Sequence, residues 1–219
     1  MRPWLRAAAL VFALTLVPAA ARATQVLLEN PPADPFAAGT LFSDLQHPRE
    51  AASAITLDSS AEVTQLVWWG GYFAFEDVDP PSTSDFEIRI YADGGDGPLE
   101  TPLFTASVTA TVAPFPAAVQ QFEYTATLDE PFALEGGVTY WLAIVDADPN
   151  LPTFAWRSSS DAFFSFSRAP GDAAWETAVG LGSVRLVGHA VPEPGTALLA
   201  GLGLAGLAAV GSRRRAARR

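Results

Sequence analysis

The sequence predicts an all-β protein: a single β-sandwich or jelly-roll-like domain, flanked by an N-terminal signal peptide and one C-terminal transmembrane helix. Three observations lead there. Short segments of alternating or continuous apolar residues recur between turns rich in Gly, Asp and Pro, with no sustained helical period across the middle of the chain. Apolar residues make up 49% and aromatics 11% of 219 residues, enough to fill a packed core. The basic residues crowd the two ends, which separates end segments from a working middle.

The N-terminal element comes first. Arg2 and Arg6 form a positive region, Ala7 to Val17 an apolar stretch, and Ala21-Arg22-Ala23 a small-residue site. That order reads as a secretory signal peptide over residues 1–23, cut between Ala23 and Thr24. Its apolar part is too short for a bilayer core that needs about 20 helical residues.

Residues 24–190 form the predicted ectodomain. Asp85 to Tyr91 alternates with period two and places Phe86, Ile88 and Ile90 on one face. Gln121 to Leu128 does the same with Phe122, Tyr124, Ala126 and Leu128. Val138 to Val145 is apolar on nearly both faces, as a central strand requires. Val63–Trp69, Leu103–Thr111, Thr153–Arg157 and Val184–Val187 are four further strand candidates. Asp93-Gly94-Gly95-Asp96-Gly97-Pro98 and Glu135-Gly136-Gly137 read as turns. Two sheets closing on each other need roughly 100 residues, and the span supplies more.

The C-terminal element runs from Val191-Pro192-Glu193-Pro194-Gly195 into Thr196–Ser212, then into an arginine tail beginning Arg213-Arg214-Arg215. The seventeen residues of Thr196–Ser212 carry no charge and hold five Leu, five Ala and four Gly. As a helix they span about 25 Å at 1.5 Å per residue, slightly less than a hydrocarbon core of about 30 Å. The arginines act as a membrane stop and hold the tail on the cytoplasmic side, leaving residues 24–191 outside. Pro192 and Pro194 keep the chain before the helix extended.

This order of Pro-Glu-Pro, short Gly/Ala/Leu helix and arginine-rich end resembles the PEP-CTERM sorting signal of bacterial exported proteins, over residues 191–219. The resemblance implies export by the Sec machinery, transient anchoring in the inner membrane and recognition by an exosortase, a membrane protease thought to act near the Pro-Glu-Pro. It also implies a place at the cell envelope, the outer surface or the extracellular matrix, in company with exopolysaccharide and biofilm. More loosely, Trp68-Trp69-Gly70-Gly71-Tyr72-Phe73, Phe86 to Asp93, Thr139-Tyr140-Trp141-Leu142 and the stretch from Trp156 to Trp175 resemble a β-sandwich ectodomain found ahead of such tails. That second resemblance implies architecture and no activity.

Composition removes several function classes. Thirteen basic residues, all Arg, stand against 24 acids, for a net charge of −11, which excludes a nucleic-acid partner on electrostatic grounds. From Thr24 to Gly188 five arginines face twenty-three acids, a net of −18. The absence of Cys excludes disulfides, thiolate zinc sites and a cysteine nucleophile. Only His47 and His189 are available for histidine chemistry, no Gly-x-Ser-x-Gly elbow is present, and no Lys can serve a phosphate loop.

Three candidates for function remain in the middle. Trp68, Trp69, Tyr72 and Trp141 are candidate sugar-stacking rings, with Trp156 and Trp175 beyond them. Trp68 and Trp69 are consecutive strand residues, so they point to opposite faces and at most one is expected in the core. Asp146 and Asp148 follow the central strand and are candidate calcium ligands, ahead of Asp77/Asp79 and Asp93/Asp96. Ordinary turn chemistry explains such acids equally well. The expected role is therefore a non-enzymatic structural or adhesive protein of the surface or matrix, without a cofactor unless calcium binds. A carbohydrate-binding module is the alternative, and a secreted glycoside hydrolase using two of the acids a distant third.

Overall fold

A computed structural model describes residues 23–32, 40–43, 49–72, 82–115, 121–147, 153–159, 164–169, 174–180, 182–191 and 203, with the side chains of 40–42, 164 and 179 excepted. Twelve strands run through the described residues: β1 (Gln25–Asn30), β2 (Thr40–Phe42), β3 (Glu50–Thr56), β4 (Ala61–Tyr72), β5 (Thr83–Ala92), β6 (Phe104–Pro114), β7 (Phe122–Leu134), β8 (Thr139–Asp146), β9 (Phe154–Arg157), β10 (Phe164–Arg168), β11 (Glu176–Val179) and β12 (Val184–Ala190). All pair antiparallel, in the order β1-β12-β4-β7-β6-β5-β8-β3-β10-β11, while β9 joins β2 to the end of β4. No helix among the described residues is long and apolar enough to cross a membrane.

The sheet curls on itself. Trp68 on β4 and Phe86 on β5 are three ladder steps apart, about 14 Å in a flat sheet at 4.8 Å per step. Their ring centroids nevertheless lie 5.0 Å apart. Strand β6 makes the bend by serving both halves: Phe104 to Thr111 pair with β5, and Thr111 to Pro114 pair with β7. The half β1-β12-β4-β7 thus faces the half β5-β8-β3, and the main core lies between them.

Period-two alternation fills that core. Phe86, Ile88 and Ile90 of β5, Phe122, Tyr124, Ala126 and Leu128 of β7, and Leu142 and Ile144 of β8 all point inward. The intervening β8 residues Trp141, Ala143 and Val145 pack with Tyr91 and Ala52 in a second cluster on the outer face. Strand β8 is therefore buried on both sides, between β5 and β3, as its continuous apolar run demands.

Two short connections cross from one half to the other at the same end. Residues 57–60 lead from β3 to β4, and residues 135–138 from β7 to β8. They bond to each other through Gly137 N–H to the Leu57 carbonyl (2.7 Å) and Gly136 N–H to Ser60 Oγ (3.1 Å). Gly137 has φ of 73°, in the left-handed region where lack of a Cβ removes the strain. The turn expected at Glu135-Gly136-Gly137 is thus a corner between the halves.

All seven expected strands are present, and five more join them: β1, β2, β3, β10 and β11. Strand β3, Glu-Ala-Ala-Ser-Ala-Ile-Thr, is buried on both faces but built from small residues, so it shows neither alternation nor β-branched enrichment. The signal-peptide segment up to residue 22 and the helix and tail of 196–219, residue 203 apart, lie outside the described residues.

Candidate functional site

The exit of the chain is the first candidate site. Strand β12 ends with Ala190 opposite Ala61, and the next residue, Val191, donates its N–H to the Ser60 carbonyl at 2.8 Å. The first residue of the Val-Pro-Glu-Pro motif is therefore tied to the corner between the halves. Pro192, Glu193 and Pro194 lie outside the described residues, as do Arg213, Arg214 and Arg215. At the other terminus Ala23 and Thr24 are exposed ahead of β1, and Ala21 lies outside the described residues. Gln25 pairs with Gly188, so the chain enters and leaves the domain at one pole.

The four candidate sugar-stacking rings are all inside the protein. Trp68 is completely buried, stacked on Tyr124 at 5.7 Å and edge-on to Phe86, and its indole N–H meets no acceptor. Trp69 does point to the opposite face, as alternation requires, yet only 2% of it is exposed. Phe115 packs at its edge, the Arg185 guanidinium lies 5.4 Å above its ring, and its N–H donates to Glu123 Oε2 at 3.1 Å. The expectation that only one of the pair would be buried is thus corrected, because a second layer of side chains covers the outer face. Tyr72 shares a 2.9 Å hydrogen bond with Ser84 and packs edge-on against Phe154. Trp141 packs edge-on against Phe166 and donates to Asp93 Oδ1 at 2.9 Å. None of the four presents a ring face to solvent.

Asp146 is the last residue of β8 rather than a loop residue, and it is 2% exposed. It lies on the inward face with Leu142 and Ile144, near Tyr124, at the pole opposite the chain exit. Burial, with Tyr72 and Asp146 close by, pushes the Tyr124 hydroxyl well above the ordinary tyrosine range. Asp148, Asp77 and Asp79 lie outside the described residues. Among the described residues no three His, Asp or Glu side chains gather where they could hold a metal ion.

The densest polar constellation among the described residues was not visible in the sequence. Glu50, at the start of β3 and 6% exposed, accepts from Arg168 Nε at 2.9 Å, pairs with Arg89 Nη1 at 3.0 Å and receives the Tyr91 hydroxyl. Arg168 also donates to the Glu100 carbonyl and to the Tyr91 hydroxyl, and its guanidinium stacks 4.3 Å from the Trp175 ring centre. Burial opposes the Arg89 charge, but Glu87 and Glu50 outweigh it, so its pKa is raised. Burial first, and then the bond to Glu50, raise the Tyr91 hydroxyl as well. Every polar end here meets a partner, so the cluster acts as a clasp that fastens β10 and Trp175 over the outer face. Sequence separations of 41 and 118 residues hide it from any local pattern.

Comparison with known proteins gives two matches. Residues 31–184 match the family described as Domain of unknown function (DUF7901), and residues 190–215 match the PEP-CTERM protein-sorting motif. No curated protein matches the chain. The motif marks an exported protein, anchored transiently at the membrane and processed by an exosortase.

Proposed function

We propose a role that starts from a family: this chain belongs to the family of the domain of unknown function DUF7901, and it ends in a PEP-CTERM motif. Its role is that of a non-catalytic structural or adhesive protein of the cell surface or extracellular matrix, placed there by processing at the Pro-Glu-Pro. The observation that carries this reading is the motif itself, which begins at the last residue of the last strand. The body it delivers is an all-β domain with a net charge of −18 from Thr24 to Gly188, and such a domain stays soluble and self-repelling among polyanionic matrix polymers. Buried aromatics, a satisfied ionic clasp and a two-sided central strand suit a load-bearing module.

The test is removal of the chain from its own cells. Cells lacking it are expected to shed matrix material or to lose cohesion, with restoration by the full chain and not by one ending at Val191. Unchanged matrix and cohesion in cells lacking the protein would refute a structural role.

A further inference from the structure

The pole at which the chain exits carries a second consequence, which rests on reading residues 196–212 as the membrane-inserted segment. Only Pro192, Glu193, Pro194 and Gly195 separate Val191 from Thr196. Five residue steps reach at most about 18 Å when fully extended. The headgroup layer takes up about 6 Å of that span. Val191 is itself fixed to Ser60 by a hydrogen bond. The corner of residues 57–60 and 135–138 is therefore held within roughly 12 Å of the lipid surface for as long as the tail is attached.

The same pole presents apolar side chains to solvent. The exposed large hydrophobic residues among those described are Val26, Leu99, Leu103 and Val138, at 53%, 49%, 63% and 39% exposure. Val138 belongs to the corner, directly ahead of β8. Leu99 and Leu103 lie in the turn after β5, where their amides bond to the Ala92 and Ile90 carbonyls, level with the start of β8. Val26 is the second residue of β1. Exposed apolar residues scattered singly are ordinary. Here they share the pole that the short spacer holds against the membrane.

We propose that this pole is a bilayer-facing contact surface: while the tail is attached, Val138, Leu99 and Leu103 rest on the lipid surface, with the Asp146 pole pointing away. Asp58, Asp93, Asp96, Glu100 and Glu135 are exposed beside them. Those acids repel an anionic surface, so the contact is imposed by the tether and ends when the tail is removed.

The lack of cysteine makes the test direct. The full chain is reconstituted into phosphatidylcholine vesicles carrying a headgroup nitroxide quencher, with a fluorophore on a single Leu103→Cys, Val138→Cys or Thr83→Cys variant. All three positions are exposed, and Thr83 starts β5 at the far pole. The labels at 103 and 138 are expected to lose most of their emission while the label at 83 keeps it. A long Gly/Ser spacer inserted between Val191 and Pro192 is expected to abolish that difference. Equal emission at all three positions on chains that float with the vesicles would overturn the contact surface alone. Chains that do not float would overturn the anchor reading, and the contact surface with it.

Discussion

Gln25 lies opposite Gly188 in the β1–β12 ladder, three residues before Val191. At about 3.3 Å per residue, entry and exit of the chain are only about 10 Å apart along the strand. A domain anchored transiently through a C-terminal sorting motif thus hangs from its last strand, at the pole where its first strand begins. Gly188 makes that strand fit: a Cβ there would sit 2.0 Å from the Glu62 carbonyl oxygen, where neither partner can yield without moving backbone. Gly188→Ala is expected to cost about 3 kcal/mol in denaturant unfolding. Gly137 has open space where a Cβ would go. Gly137→Asn, whose side chain tolerates the left-handed conformation, is expected to cost less than about 1 kcal/mol.

Glu50 pairs with two arginines, Arg89 and Arg168, in a largely buried setting. Glu50→Ala leaves Arg168 without its carboxylate and Arg89 with Glu87 alone, and is expected to destabilise the domain by about 3 kcal/mol. The indole of Trp175 should move into water at the same time, read as a red shift in tryptophan emission. A double-mutant cycle of Glu50→Ala with Arg168→Ala should give a coupling near 1 kcal/mol or more, because the two share one network.

The tryptophans differ in what their loss removes. Trp68→Ala empties the centre of the core and is expected to cost about 3–5 kcal/mol. Trp141→Phe keeps a ring against Phe166 and loses only the bond to Asp93, so about 1 kcal/mol is expected. Calorimetric unfolding of the two variants should rank them in that order.

Alkaline pH should loosen the fold. Tyr91 and Tyr124 have raised values in the folded chain, the first through burial and Glu50, the second through burial with Tyr72 and Asp146 nearby. A raised value favours the neutral phenol in the folded state, so these groups contribute stability below the unfolded value of 10.0, lost as pH climbs above it. A pH titration is expected to show their phenolate absorbance appearing together with loss of β circular dichroism. Full ionisation of both tyrosines in a chain that keeps its fold would contradict this.

Alternation made strands β5 and β7 legible, because Phe86, Ile88, Ile90 and their counterparts bury one face with period two, whereas β8 was legible from a continuous apolar run that is buried on both faces. Strand β3 was not legible, since Ala and Ser occupy a crowded central position without a periodic signal. The order of strands was equally hidden. It depends on a β6 that bonds two neighbours in different halves, and on corners that cross where a hairpin would have been the local expectation. The aromatic candidates were picked by residue type alone, and exposure was misjudged because Arg185 and Phe115 cover Trp69 from distant positions. The sorting motif was legible because it is contiguous, whereas the clasp at Glu50 joins β3, β5 and β10.

The central claim is that this chain is exported and sorted, and the intact mass of the protein recovered from its own cells, by envelope and medium fraction, tests it most directly. The account predicts a chain beginning at Thr24 and ending near Pro192-Glu193-Pro194. A recovered mass that still includes Arg213-Arg214-Arg215 in every fraction would contradict processing at the motif.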